Sequence, residues 1–521
     1  MSRMFRSGAA ISAMTMISRV LGLVRDAVIA HFFLIGGALD AFFLAFRIPN
    51  LMRRLFAEGA FSLAFVPVLS EYRETRSKAA LRDLLDHVAG ALGLLLLMMS
   101  VLGVLAAPYI ISLFTLVGTS ANSQPELAAE LLRITFPYIL FISLTAFISG
   151  ILNTYKQFAI PAFTPVLLNI VMIAAAIWWA PRFEEPVKAL AWGVFIGGIV
   201  QLLFQIPAVL KLGLLPRFRY DKAHKGVRKI MKLMVPALFG SSVAQVNILI
   251  NTGIAYALAS GSISWLYFSD RFVELPLALI GVAIGTVILP KLSGDHANKA
   301  GEAFSSTLGW AMRLALLVGI PAMAGLIVLA KPILATVIHN GVNSWNDVDM
   351  AAMSLVTYSL GLPAFILVKV LAPGFYSRQD TKTPVRIGII AMFSNMLLSL
   401  FIVLPWYKLG YIGPHAGLAL ATALAAYINA GMLYYQLRKQ AIYQQTQGQG
   451  SRWLKDLLRI LVAVIMMVLV VLWLNPADNW WQAHGLGEKA LYLGGLVALS
   501  MIAYFGSLGI MGVRPRHLLG R

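Results

Sequence analysis

Residues 9–70 read AAISAMTMISRVLGLVRDAVIAHFFLIGGALDAFFLAFRIPNLMRRLFAEGAFSLAFVPVLS, long enough to cross a bilayer twice yet charged in the middle of both crossings. Arg19, Arg25 and Asp26 lie inside the first apolar run, and Asp40, Arg47, Arg53, Arg54 and Glu58 inside the second. A charge at bilayer depth costs roughly 3 kcal/mol or more, so each must face protein, water or a ligand. Residues seven apart return to nearly the same helical face, which places Arg19 with Asp26 and lines up Asp40, Arg47 and Arg54, with Glu58 one turn on. Gly22 lies between Arg19 and Asp26, and Pro49-Asn50 predicts a kink that turns Arg53 relative to Arg47. Two readings follow: salt bridges joining helices, or a solvated path for a ligand, which so many charges favour.

The rest of the chain is built like this hairpin without its charges. Of 521 residues, 59% are hydrophobic and 12% charged, with a mean hydropathy of +0.79, more apolar surface than a soluble core can hide. The fold class is therefore an all-α polytopic membrane protein, with about 14 transmembrane helices placed by apolar runs. The opening Met1-Ser-Arg-Met-Phe-Arg reads as the start of an uncleaved first helix, because the apolar run after it is too long and too charged for a signal peptide. With the N-terminus inside, cytoplasmic segments hold roughly 27 Lys and Arg and outer loops about 4, so both termini are expected in the cytoplasm. The net charge of +20 is thus a topology signal, and no nucleic-acid partner is implied. Its densest cluster, Lys211 to Lys232, would face anionic headgroups or simply fix orientation.

Phe65-Val-Pro-Val-Leu-Ser matches Ile288-Leu-Pro-Lys-Leu-Ser, and the turn ending at Pro161 matches the turn ending at Pro384, both about 223 residues apart. Six spans per repeat leave two lobes in parallel orientation with a cavity between them. The expected domains are 1–215 for the first lobe, 216–440 for the second, and 441–521 for two further helices and a tail. In the second lobe the partner of the charged hairpin again bears charges at depth, Asp270, Arg271 and Glu274, followed by Pro276. Asp270-Arg271 alone could be a self-neutralised pair; opposite the first hairpin it reads better as the other wall of one cavity. Arg313, Lys331 and Lys369 sit near span ends, where they can snorkel.

Several chemistries are excluded. The chain has no cysteine, hence no disulfide, thiolate zinc site or thiol nucleophile. It has no phosphate-binding loop of the G-x-x-x-x-G-K-[ST] kind and no H-E-x-x-H, and its eight histidines show no metal-ligand spacing. Arginine cannot act as an acid or base near neutrality, so binding and movement fit better than catalysis, and no enzyme, metal or cofactor is expected. Six cations (Arg19, Arg25, Arg47, Arg53, Arg54, Arg271) face five anions (Asp26, Asp40, Glu58, Asp270, Glu274) in the charged spans. Guanidinium forks match phosphate oxygens bidentately, which makes a phosphate or pyrophosphate the natural guest.

Ser18-Arg-Val-Leu-Gly-Leu-Val-Arg-Asp, Asp40-Ala-Phe-Phe, Pro49-Asn-Leu-Met-Arg-Arg-Leu-Phe-Ala-Glu-Gly-Ala-Phe, Asp270-Arg and Ala372-Pro-Gly-Phe-Tyr-Ser-Arg-Gln-Asp strongly resemble the MurJ (MviN) family of lipid II flippases, over the full length. The resemblance implies the fold of the multidrug/oligosaccharidyl-lipid/polysaccharide exporter superfamily: two six-helix lobes around a cationic cavity and two terminal helices forming a groove for a polyprenyl tail. It also implies a bacterial inner-membrane location and lipid II as partner, alongside membrane lipids. By position the family's functional arginines fall on Arg19, Arg25, Arg53 and Arg271, with Asp40 as a functional acid and Asp26, Asn50, Asp270 and Glu274 in support. Where some relatives bind sodium, this chain offers only Asn247, Asn251 and Asn395, so no metal is expected there. Transport would run by alternating access, driven by membrane potential or an ion gradient and carried out by a monomer. The alternatives are a flippase for another polyprenyl-pyrophosphate saccharide or a cation antiporter; the latter should show acids without surplus arginine, the opposite of this chain.

Overall fold

The computed structural model describes residues 3–54, 61–116, 118–120, 122–221, 223–298, 300–444 and 449–512, with side chains described among these except at 3–13, 63, 236–244, 279–287 and 449–452. Glu58 lies outside the described residues. Among the described residues every regular element is helical. In order these are α1 (Arg3–Phe32), α2 (Gly37–Met52), α3 (Phe61–Thr75), α4 (Lys78–Leu105), α5 (Ala107–Thr115), α6 (Pro125–Thr135), α7 (Tyr138–Thr154), α8 (Ala159–Ala174), α9 (Val187–Lys211), α10 (Lys225–Ala257), α11 (Ser262–Ala297), α12 (Gly301–Val328), α13 (Ala330–Val337), α14 (Trp345–Leu360), α15 (Leu362–Tyr376), α16 (Lys382–Lys408), α17 (His415–Lys439), α18 (Gln449–Leu474), α19 (Asp478–Ala483) and α20 (Leu486–Ile510). Ten helical stretches among the described residues are long and apolar enough to span a membrane; they do not by themselves reach the fourteen spans expected. The chain is a multi-pass membrane protein.

Two compact units divide the chain, Met1–Ser264 and Trp265–Arg521. In the first, α8 lies between α1 and α9, α7 also packs on α9, α2 packs on α6, and α10 packs on α3, α4 and α5. In the second, α17 packs on α14, α15 and α16, while α12 packs on α15 and α18. The two terminal helices α18 and α20 pair with each other and meet α12 through Leu317, Ile460, Ala463, Met467, Tyr504 and Leu508. Tyr504 Oη donates to the Leu317 carbonyl at 2.6 Å, fixing that contact.

The 223-residue repeat is visible in the backbone. Pro67 and Pro290 lie inside α3 and α11, and Phe65, Leu69, Ile288 and Leu292 are all fully buried. The two matching turns also close alike. Lys156 N donates to Asn153 O and Gln157 N to Leu152 O, both at 2.9 Å, while Gln379 N donates to Tyr376 O at 2.9 Å and Asp380 N to Phe375 O at 3.1 Å. Lys156 and Gln379 hold the same left-handed φ, 61° and 62°, as a helix-terminating residue must when these bonds form. Each turn then enters its helix with proline in the first turn, where the missing N–H costs nothing: Pro161 in α8 and Pro384 in α16.

Three segments differ from expectation. The apolar run 92–116 is broken at Ala106, where Pro108 starts α5 as a separate helix. Lys331 does not simply reach for solvent; it pairs with Asp349 at 2.8 Å and Asp478 at 3.1 Å, joining α13, α14 and α19. The basic connection between α9 and α10 is strapped along α4 by its main chain. Gly213 O accepts from Arg82, Arg217 N donates to Asp86 Oδ1 at 2.7 Å, and Arg219 N donates to Asp86 O at 3.2 Å. Gly90 allows this approach: a Cβ there would lie 1.9 Å from Arg219 O.

Candidate functional site

The charged hairpin is ordered by pairings that the helical wheel does not contain. Arg25 and Asp26 are buried, 5% and 3% exposed, and pair with each other through two bonds to Asp26 Oδ1 at 2.9 and 2.6 Å. Asn169 on α8 completes the cluster, accepting from Arg25 Nη1 and donating to Ser18 O, each at 3.0 Å. The wheel placed Arg19 on the same face as Asp26; the partner that Asp26 takes is its neighbour Arg25, whose long side chain folds back onto it. Arg19 is half-buried on the same helix.

Asp40 is also buried. Its carboxylate accepts from Gly261 N at 2.7 Å, Ser264 N at 2.8 Å and Ser264 Oγ at 2.6 Å. These donors lie at the start of α11, where the first turn of a helix leaves N–H groups without intrahelical partners, so Asp40 caps α11 from more than two hundred residues away. One stripe position on, Arg47 donates to Thr252 Oγ1 on α10. Arg54, at the end of that stripe, is exposed. The stripe of Asp40, Arg47 and Arg54 therefore runs from a buried anchor to an exposed end.

Pro49 lies inside α2, and past it the helix widens into a π turn at Arg53–Arg54. Asn50 Oδ1 accepts from Arg53 Nε at 3.0 Å, which helps to orient the guanidinium. In the second unit, Arg271 donates to Glu274 Oε2 at 3.3 Å and to Tyr267 Oη at 3.1 Å, with its guanidinium 5.0 Å from the Tyr267 ring centre. Asp270 beside it is half-buried. Asn247 and Asn251 are half-buried on α10, and Asn395 is buried in the second unit, donating to Thr422 Oγ1 at 3.2 Å.

The predicted residues thus sort by environment. Arg25, Asp26 and Asp40 are buried and held in multiple bonds, as helix-joining groups are. Arg53 and Arg271 are part-buried and oriented by side chains on their own helices, Arg53 by Asn50 and Arg271 by Glu274 and Tyr267. Sequence reasoning missed Asn169, Thr252, Ser264 and Tyr267. Only Tyr267 was within reach of it, lying four residues before Arg271 on one helical face.

The family model described as lipid II flippase MurJ matches residues 29–486. A probable lipid II flippase MurJ of Vibrio cholerae is 46% identical over 523 residues, covering 99% of this chain and 98% of the relative. A lipid II flippase MurJ of Burkholderia cenocepacia is 40% identical, covering 99% of each. Among solved structures, a lipid II flippase MurJ in an inward closed conformation superposes with a TM-score of 0.77 at 29% identity, covering 96% of this chain and 99% of that one. An inward-facing multidrug resistance MATE transporter of the MOP superfamily shares the fold at a TM-score of 0.69 and 14% identity, covering 83% of this chain and 98% of that one. The matches run the length of the chain, and the chain belongs to the MurJ family of lipid II flippases.

Proposed function

We propose that this chain carries lipid II from the cytoplasmic to the outer leaflet of the bacterial inner membrane by alternating access, as a monomer with both termini in the cytoplasm. The observation that carries the reading is the full-length similarity to flippases named for that substrate. Arg53 and Arg271 are the groups we assign to the pyrophosphate, because each guanidinium is pre-oriented by a neighbour on its own helix. Arg19 joins them, while Arg25, Asp26 and Asp40 hold the helices that present them. Asn50 and Glu274 orient the two fork-bearing side chains, and Asp270 supports Arg271. The disaccharide-peptide would enter a water-filled chamber while the polyprenyl tail stays in lipid along α18 and α20. No bond is made or broken, so the protein acts as a carrier and not as a catalyst. With the inside negative, each positive charge moved fully across about 100 mV is worth roughly 2.3 kcal/mol, so a cationic empty carrier is drawn back toward the cytoplasm.

The test is leaflet-resolved measurement of lipid II in cells depleted of the chain and complemented with wild type, Arg53→Ala or Arg271→Ala at matched membrane levels. Depletion should strand the precursor on the inner leaflet, and neither variant should restore export. Normal export in depleted cells would overturn the function; normal export with a variant would remove that arginine from the clamp.

A further inference from the structure

Apart from the arginine-bearing helices, the fold gathers three groups that could ligate a metal. Asp83 and His87 stand one turn apart on α4, and His224 is the residue that caps α10. The segment strapped along α4 carries His224 onto this face, so that the two imidazoles stack with centres 4.7 Å apart and planes within 10°. One ligand atom from each of the three residues lies within 4.8 Å of the others. The imidazoles are well covered, 15% and 14% exposed, and the Asp83 carboxylate is 49% exposed.

We propose that Asp83, His87 and His224 form a binding site for a divalent transition metal of the zinc type, with water in the remaining position. Hydrogen bonding already sets up the first imidazole. His87 Nδ1 lies 2.8 Å from the Asp83 carbonyl oxygen, which can only accept, so the proton is on Nδ1 and the Nε2 lone pair is available. A backbone carbonyl on the distal nitrogen is the usual support of a metal-ligating histidine. His224 Nε2 lies 3.2 Å from Asp83 Oδ2, and its Nδ1 accepts a long 3.3 Å bond from Val227 N. Metal binding moves the His224 proton from Nε2 to Nδ1, leaving the ring neutral and exchanging that long capping bond for a metal–nitrogen bond. The Asp83 carboxylate already lies beside both rings, Oδ1 3.3 Å from His87 Nδ1 and Oδ2 3.2 Å from His224 Nε2. Tetrahedral zinc with bonds near 2.0 Å places its ligand atoms roughly 3.3 Å apart, so it is the two near-parallel imidazoles that have to turn to aim their nitrogens at one ion. The neighbouring acid Asp86 is occupied by the strap, accepting from Arg217 N and lying 3.9 Å from Arg219 Nε. A bound ion would tie α4 to the start of α10 and hold the connection between them.

The experiment uses the full chain in detergent, stripped with chelator and titrated with Zn2+ against a chromophoric competitor, and with Co2+ for its visible spectrum. Wild type should take up one tight equivalent and show the intense bands of tetrahedral cobalt. His87→Gln and Asp83→Asn should weaken that equivalent by roughly ten- to a hundredfold or more. His224→Asn keeps a side chain that caps helices well and removes the imidazole, so it separates loss of the ligand from loss of the fold. The remaining six histidines serve as internal control for surface binding. Binding that is unchanged in all three variants, or no tight equivalent in wild type, would overturn the proposal.

Discussion

Removing the Asp40 carboxylate should open the start of α11, and the structure sets how far. Asp40→Asn replaces one acceptor oxygen by an NH2 group that meets a donor, leaving either Gly261 N–H or the Ser264 pair without a partner inside the protein. An orphaned buried donor costs about 1–3 kcal/mol, which corresponds to roughly 5- to 150-fold faster local opening. Asp40→Ala strips all three bonds, and allowing for their interdependence the cost is about 3–5 kcal/mol, or roughly 150- to 4,000-fold. Hydrogen exchange followed by mass spectrometry on peptides covering residues 259–268 reads this directly, with peptides from α16, which packs on α15 and α17, as reference. The order wild type, Asn, Ala in rising exchange rate is the expected result. Exchange at 261–264 in Asp40→Ala within twofold of wild type would refute the capping role and leave Asp40 to be explained by contact with substrate alone.

Gly90→Ala should push the strap off α4, because the new methyl meets Arg219 backbone that cannot rotate away; trypsin should then cut faster at Arg217 and Arg219, with Gly388→Ala, in open space, as the unaffected control. Asp380 caps α16, and the Thr383 hydroxyl together with its backbone N–H, 3.0 Å from Oδ1, lowers the Asp380 carboxyl from its ordinary value of 3.8. A depressed acid stabilises the fold above its ordinary value and stops doing so as the pH falls through the lowered one, so exchange at residues 382–386 should rise below about pH 4, and Asp380→Asn should abolish that pH dependence. Tyr504→Phe removes a single 2.6 Å bond to Leu317 O and should cost about 1 kcal/mol, read as roughly fivefold faster exchange in α20 with α17 unchanged.

The helices, the internal repeat and the charged hairpin were legible in the sequence because each is a local pattern. Apolar run length, a proline after a polar turn and charge inside an apolar run need no knowledge of the fold. The repeat was legible from a few residues because its turns need particular chemistry, and Lys156 and Gln379 adopt the same left-handed geometry 223 positions apart, the difference of their numbers. The partners were not legible. Asp40 finds Gly261 and Ser264, Arg25 finds Asn169 and Arg47 finds Thr252, all more than a hundred residues distant, and serine, threonine and asparagine carry no charge to announce the pairing. For the same reason the histidines looked scattered: His87 and His224 meet only because the chain between α9 and α10 doubles back over α4.

That doubling back separates two properties usually bound together. The route of the crossing is written in carbonyls, amides and the missing side chain of Gly90, whereas its electrical character is written in Arg217, Arg219, Lys225 and Arg228, which point outward. Those outward side chains can therefore be exchanged, and the potential of this surface retuned, while the course of the polypeptide beneath them stays as it is.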